Sequence, residues 1–144
     1  MGFEFSETMA GTVEWDAEPG RRQPIRFDIT AHADSTRAHL ADGEVQIRGT
    51  MYAPPKSRAA PAEGTMVIRP IGQRIIRYDL GFVADDGQHY RFVGQKDISY
   101  RHLFKTFTTL PAELVDGAGK KVGSALTYFD PRTLWKFLRS FRRA

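Results

Sequence analysis

The pattern of apolar and polar residues is clearest between residues 74 and 110, where it predicts a β-hairpin. Its first strand carries large apolar side chains at every second position: Ile76, Tyr78, Leu80 and Phe82. The Asp-Asp-Gly sequence at 85–87 follows, with acidic side chains that can bond the backbone and a glycine that can adopt positive φ. Tyr90 and Phe92 then alternate with polar neighbours. Gly94 interrupts this return strand, which indicates a bulge, a barrel-corner kink or the close approach of another backbone.

The same alternation predicts strands on both sides of the hairpin. The stretches that show it most clearly are residues 3–13, 25–33, 45–51, 65–69, 112–115 and 122–129, with a shorter strand at 36–40. The segment 52–63 contains three prolines among small residues, and we interpret it as a surface loop. Residues 99–107 are ambiguous, and Ser99 is a candidate N-cap for one or two helical turns.

The last segment of the chain has helical rather than strand periodicity. Asp130 and Pro131 are suited to the N-cap and the first position of a helix. Four large apolar residues then recur at helical spacing: Leu134, Phe137, Leu138 and Phe141. We therefore predict a short amphipathic helix over residues 131–143.

About nine short strands and one terminal helix indicate a single all-β domain spanning residues 1–144. Gly11, Gly49 and Gly64 each precede a threonine near a predicted strand end, where a strongly bent sheet needs glycine in order to close. We expect an antiparallel up-and-down barrel of the lipocalin or calycin-like kind, with the helix packed across one end. A two-sheet sandwich is the alternative.

Composition removes several classes of function. The 144 residues include no cysteine, which excludes disulfides, thiolate zinc sites and thiol catalysis. The four histidines have no metal-ligand spacing, and no glycine-rich phosphate loop is present, so we expect neither metal nor cofactor. The net charge of +4 is modest, and basic residues do not interleave with aromatics as nucleic-acid binding would need. The absence of an N-terminal apolar run favours a cytoplasmic protein.

Three features are candidates for a functional site. Glu7 is a carboxylate in phase with core-facing residues, so it is either a buried acid in a cavity or is turned outward by a bulge. Lys96 and Asp97 are either part of an acid–base set or a surface ion pair at a strand end. An aromatic set forms either the core or the lining of a ligand site inside the barrel: Phe5, Phe27, Tyr78, Phe82, Tyr90 and Phe92.

The central stretch also resembles a known domain. The runs RYDLGFVADDG (77–87), YRFVGQKDI (90–98) and TFTTL (106–110) are similar to a β-rich accessory domain of bacterial GMC oxidoreductases of the cholesterol-oxidase-like kind. The opening Phe-Ser-Glu-Thr-Met-x-Gly at residues 5–11 is similar to the start of that domain. The chain departs from the pattern at Phe107, which replaces the first threonine of a Thr-Thr-Thr-Leu motif.

The resemblance implies an association with sterols or other bulky apolar molecules, in partnership with a flavin oxidoreductase. It does not imply flavin chemistry in this chain, because the family's flavin-binding part and catalytic residues have no counterpart here. We therefore expect a non-catalytic barrel that binds a sterol- or lipid-like molecule. The alternatives are a cofactor-free enzyme with Glu7 or Asp97 as its base, and a protein-interaction or oligomerisation module.

The terminal helix allows two interpretations of its own. Its apolar stripe either plugs the barrel or contacts a membrane peripherally, with basic side chains toward anionic headgroups. The residues that would make the membrane contact are Leu134, Trp135, Phe137, Leu138 and Phe141.

Overall fold

The first strand of the protein pairs with two different neighbours, and this double pairing closes the sheet. A computed structural model describes residues 3–33, 43–54, 56–69, 74–129 and 142–143. Within these ranges eight antiparallel strands form a closed barrel, in which each strand pairs with the next along the chain and the eighth pairs with the first. The strands are β1 (Phe3–Trp15), β2 (Arg22–Ala33), β3 (Glu44–Ala53), β4 (Ser57–Arg69), β5 (Ile75–Val83), β6 (His89–Asp97), β7 (Thr109–Asp116) and β8 (Lys121–Phe129). The predicted all-β antiparallel barrel is confirmed.

Closure is possible because β1 is long and because glycines stand where neighbouring backbones come closest. Residues 3–14 of β1 pair with β2, whereas residues 9–15 also pair with β8. A Cβ on Gly11 would lie 2.0 Å from a carbonyl oxygen of the adjacent strand, and one on Gly49 or Gly64 would lie 1.8 Å away. These glycines are inside their strands rather than near the ends, and a larger residue would push the strands apart.

Gly94 illustrates the same constraint on β6. The register of β5 against β6 is regular through this position, so no bulge occurs there. A Cβ on Gly94 would lie 2.9 Å from both the Leu110 side chain and the Pro111 carbonyl oxygen. Close approach of β7 therefore accounts for this glycine.

The core lies inside the barrel and follows from the alternation of side chains. In β2, for example, Phe27, Ile29 and Ala31 are buried, while the residues between them are exposed or half-buried. Because the sheet closes on itself, the inward residues of all eight strands meet in one interior. Its largest fully buried apolar side chains are Tyr78, Phe27, Phe92, Met9, Ile25, Ile47, Met51, Met66, Leu80, Leu110 and Leu114.

The two ends of the barrel differ. At what we call the hairpin end, short turns join β1 to β2, β3 to β4, β5 to β6 and β7 to β8. The predicted turn at 85–87 is confirmed there, with Gly87 at φ 84° and Asp86 Oδ1 accepting the Gln88 N–H at 3.0 Å. At the opposite helical end, β6 leads through a 3₁₀ helix (Tyr100–His102) and α1 (Leu103–Thr108) into β7. Helix α1 contacts both of these strands.

The predicted loop at 52–63 is wrong, because β4 begins at Ser57 and continues through Pro61. Pro61 pairs with Thr50 of β3, but the pairing of β4 with β5 begins only at Ala62. A proline cannot donate a ladder hydrogen bond, and here it stands just beyond the end of one ladder, where the loss is tolerated. A register shift between Met51 and Ala53 marks the bulge at which the strand turns.

Residues 99–107 form helical turns, but Ser99 is not the N-cap of α1. His102 occupies that position, without a side-chain cap. The Ser99 carbonyl instead accepts the His102 N–H at 3.1 Å, and the Ser99 N–H donates to Thr106 Oγ1 at 3.0 Å. The start of the segment is therefore held by the side chain of Thr106 within α1, and not by a capping side chain at Ser99.

Two predicted elements fall outside the described residues. They are the short strand at 36–40 and most of the helix at 131–143, including Leu134, Trp135, Phe137, Leu138 and Phe141. The last two positions of that predicted helix, Arg142–Arg143, instead form β9, which pairs with Phe3 and Glu4 at the start of β1. In the part of the chain that the structure describes, no helix has the length and apolar character needed to cross a membrane.

The glycine contacts give a direct test of the closure argument. We expect Gly64→Ala to lower the free energy of unfolding by about 1–3 kcal/mol or more, because the new methyl group meets a backbone oxygen of β5. Gly81→Ala is a matched control, since its Cβ would find its nearest neighbour at 3.5 Å. Urea unfolding of both variants measures the difference. Equal stability of the two would contradict the close approach at Gly64.

Candidate functional site

A carboxylate from β1 stands inside the barrel. Glu7 lies between Phe5 and Met9 in the inward row of β1, and it is only 7% exposed. The register between β1 and β2 is unbroken from Phe3 to Glu14, so no bulge turns Glu7 outward. Glu7 therefore faces the interior and is not turned outward by a bulge.

A tyrosine reaches Glu7 from another wall of the barrel. The Tyr78 hydroxyl, on β5, donates to Glu7 Oε1 at 2.5 Å, and the tyrosine is 1% exposed. This short hydrogen bond satisfies part of the carboxyl group of Glu7, which is largely removed from solvent. The pKa of Tyr78 is raised well above 10, first by burial and then by the charge and the hydrogen bond of Glu7. Tyr78 thus keeps its proton as the donor.

A lysine completes the group. Lys96 is 2% exposed, and its Nζ lies 5.2 Å from the centre of the Tyr78 ring, within the range of a cation–π contact. Burial lowers the pKa of Lys96, and this effect outweighs the opposing attraction of Glu7 for the ammonium. Glu7, Tyr78 and Lys96, which we call the interior polar group, therefore share one region of the interior.

The register places this group toward the helical end. Lys96 is next to the last residue of β6 and pairs with Ile76, which in turn pairs with Ile68 of β4. Tyr78 is one inward position deeper on β5. Ile68 and Ile76 are only partly buried, as is Phe129 at the end of β8. Among the described residues, three partly exposed apolar side chains therefore form a rim at the end of the barrel to which Lys96 is closest.

The six candidate aromatics are all buried, but their ring contacts divide most of them between two clusters. Phe27 packs against Tyr78 at 6.0 Å and against Phe92 at 5.1 Å, next to the interior polar group. Phe82 and Tyr90 stack at 5.8 Å nearer the hairpin end, and Trp15 meets Tyr90 at 5.7 Å. Phe5 is buried as well, in the inward row of β1.

The interpretation of Lys96 and Asp97 as a surface ion pair is wrong. Successive residues of a strand point to opposite faces, so Lys96 is buried while Asp97 is exposed. Asp97 Oδ1 accepts a hydrogen bond from Gln95 Nε2 at 2.6 Å on the outer surface. Asp97 therefore does not share a site with Glu7. The signal for Lys96 was present in the sequence, since it continues the inward series of Tyr90, Phe92 and Gly94.

A groove on the outer surface offers no comparable arrangement. This groove has a volume of about 1150 Å³ and crosses β3 to β6, with Arg48, Glu63 and Arg91 among its lining residues. Arg91 is held by two hydrogen bonds to Asp79, which satisfies its guanidinium on the open surface. Because the groove gathers no buried polar groups, we place the candidate site inside the barrel.

Histidines and acidic residues do not form a metal centre in the described ranges. His32 Nδ1 lies 3.5 Å from Glu4 Oε2 in a solvent-accessible pair between β2 and β1. Across residues 3–33, 43–54, 56–69, 74–129 and 142–143, no three histidine, aspartate or glutamate side chains are grouped as metal ligands would be.

Comparison of the chain with protein-family models, curated proteins and solved structures gave no match. The argument for function therefore depends on the interior polar group itself.

The Glu7–Tyr78 contact makes a prediction about stability and pH. Tyr78→Phe leaves the buried carboxylate without this donor, and we expect a loss of about 1–3 kcal/mol in unfolding free energy at pH 7. The folded-state pKa of Tyr78 is raised, so its contribution is fully present below about pH 10 and is lost as pH rises through the folded-state value. Urea unfolding from pH 7 to 11 should show wild type and variant converging above pH 10.

Tyr90→Phe is the matched control for that experiment. The Tyr90 hydroxyl donates to the neutral Gln88 side chain at 3.0 Å and does not bond Glu7. Its removal should cost only about 0.5–1.5 kcal/mol. A Tyr78→Phe loss no larger than that of the control, and independent of pH, would contradict the buried ionic hydrogen bond.

Proposed function

We propose that this protein is a non-catalytic binding barrel for a hydrophobic molecule that carries one polar group, and that the interior polar group receives that end of the molecule. The observation that carries the proposal is the hydrogen bond from Tyr78 to Glu7, with Lys96 beside it, in a largely apolar interior. Two ionisable side chains and a phenol in one low-dielectric site are costly to bury. Perturbed groups of this kind cluster at functional sites.

Stability alone does not account for the arrangement. The same positions filled with apolar side chains of similar volume would give a barrel that is as stable or more stable. The inward neighbours already supply such a core, since Phe27, Leu80 and Phe92 are fully buried. A polar end of a ligand would find here acceptor oxygens in Glu7 and Tyr78 and a donor in Lys96, since the Tyr78 proton is already donated to Glu7.

The apolar rim supports the direction of binding. Ile68, Ile76 and Phe129 are partly exposed apolar side chains at the helical end, nearest Lys96. A hydrophobic body lying along this rim with its polar end inward would bury apolar surface, at roughly 25 cal/mol per Å². Eight-stranded barrels are of a size that can hold one small ligand.

Sterols and fatty acids are the ligand class we favour. A sterol is a rigid apolar body with one hydroxyl, and a fatty acid is an apolar chain with one carboxylate, so each matches one polar site beyond an apolar rim. The resemblance to the accessory domain of cholesterol-oxidase-like GMC oxidoreductases favours sterols and suggests a flavin oxidoreductase as partner. A cytoplasmic location and a peripheral membrane contact through residues 134–141 remain parts of the same proposal.

Paired ligands test the proposal. Native mass spectrometry and competition with a fluorescent lipid would compare cholesterol with cholestane, and a long-chain alcohol and acid with their parent alkane. We expect one molecule bound per chain and at least tenfold tighter binding of the polar member, because a site built for a polar group leaves its own groups unpaired when that group is missing. Glu7→Gln and Tyr78→Phe should remove this preference, whereas Tyr90→Phe should retain it.

Two outcomes would count against the proposal. If no member of the panel binds to the wild-type protein, the barrel is not a site for this class. If binding occurs but the variants weaken the polar and apolar members equally, the ligand does not address the interior polar group.

A further inference from the structure

We infer that Lys96 is a covalent attachment point, at which the amine condenses with an aldehyde or ketone carried by a hydrophobic molecule. This inference rests on the proposed function, because the molecule must first enter the barrel. It goes further by assigning a chemical step and a narrower ligand class to one residue. Among the described residues, Lys96 is the one basic side chain that is buried in the interior.

The location of Lys96 suits this chemistry. Lysine is almost never fully buried unless it is paired, and Lys96 is buried beside the carboxylate of Glu7, whose charge acts on it. Lys96 is inward-facing, close to the end of β6, and its register partner Ile76 belongs to the partly exposed apolar rim. A carbonyl at the leading end of a hydrophobic molecule that passes this rim would therefore come close to the Lys96 amine, which lies 5.2 Å from the centre of the Tyr78 ring.

The neighbours of Lys96 supply the remaining chemistry. Imine formation needs the neutral amine, and burial lowers the pKa of Lys96 toward that form. Glu7 is a carboxylate held in place by the Tyr78 hydrogen bond, and its charge acts on Lys96. It can accept a proton from nitrogen, return it to oxygen and stand as counter-ion to the protonated imine.

The step balances without any further reagent. Lys96 Nζ attacks the carbonyl carbon, a C–N bond forms, and the oxygen takes up a proton that the nitrogen gives up, producing a carbinolamine. The C–O bond then breaks as the nitrogen lone pair forms the C=N bond, and the hydroxyl leaves as water with a proton taken from solvent. The product is the protonated imine, which loses its proton to give the neutral imine. No electron is transferred to or from the molecule, and hydrolysis reverses the step.

Reductive trapping tests the inference on the full chain. The protein would be incubated with dodecanal at pH 7 in the presence of cyanoborohydride, followed by intact mass measurement and peptide mapping. We expect one secondary-amine adduct per chain, located at Lys96 and formed at least tenfold faster than adducts at the exposed Lys121. An excess of dodecanol, which can bind but cannot condense, should slow trapping at Lys96 and leave Lys121 unchanged.

Variants separate the role of the amine from that of the fold. Lys96→Arg keeps a positive charge but forms no imine, so the dominant adduct should disappear, while Lys121→Arg should retain it. Lys96→Met serves the same purpose if the arginine variant does not fold. Mapping of the wild-type adduct needs no variant and decides the site by itself.

The outcomes distinguish this inference from the proposed function. If native mass spectrometry shows dodecanol bound but dodecanal gives no preferential adduct at Lys96, the covalent role is wrong and the binding role stands. If adducts form equally at Lys96 and the surface lysines, the covalent role is again wrong. If neither compound binds or reacts at the interior, the covalent role is wrong, and both roles are wrong if cholesterol and the long-chain acid also fail to bind.

Discussion

Closure of the sheet by β1 is the constraint on which the other features of the protein depend. Once β1 pairs with β2 on one side and β8 on the other, every second residue of eight strands faces a shared interior. The same closure brings backbones so close at Gly49 and Gly64 that no side chain fits there. Closure also places residues that are distant in the chain opposite each other across the barrel interior. Glu7 and Tyr78 are 71 positions apart, and closure brings them within hydrogen-bond distance.

In an interior of this kind, a buried polar side chain is expected to have a hydrogen-bond partner. Thr127 meets this expectation, because its hydroxyl donates to the Leu110 carbonyl oxygen at 3.1 Å within the wall. Glu7 and Lys96 are different, since a carboxylate and an amine are ionisable groups that lose more solvation free energy on burial than a hydroxyl does. Burying these two side chains costs desolvation free energy, at positions where the alternating pattern of the strands would otherwise place apolar residues.

The sequence predicted the barrel because alternation is a local signal that survives in each strand. The β5–β6 hairpin and its turn at Gly87 were predictable, since the period-two pattern and the Asp-Asp-Gly sequence agree. The path of β4 through Pro61 was not, because tolerance of that proline depends on where the ladder with β5 begins. The sequence shows that Pro61 lacks a backbone N–H. Only the strand register shows that no hydrogen bond from this position to β5 is required.

The candidate site was predictable only in part, for a similar reason. Glu7 could be identified from its phase in β1, whereas its partner could not, because the relation between β1 and β5 depends on the closed sheet. Lys96 was in phase with its strand, yet its charge and its neighbour Asp97 suggested a surface pair. Phase was the stronger signal, because a one-residue change of face would have turned Tyr90 and Phe92 outward as well.

The difference between the two ends of the barrel connects the fold to the site. At the hairpin end, the β5–β6 turn is tied to the β3–β4 connection by the Asp85 N–H, which donates to the Lys56 carbonyl oxygen at 2.9 Å. Trp15, Phe82 and Tyr90 fill the interior behind these turns. The interior polar group lies toward the other end, where the apolar side chains that face inward become partly exposed. Ile76 at that end pairs directly with Lys96, so a partly exposed apolar side chain and a buried lysine adjoin where the interior polar group begins.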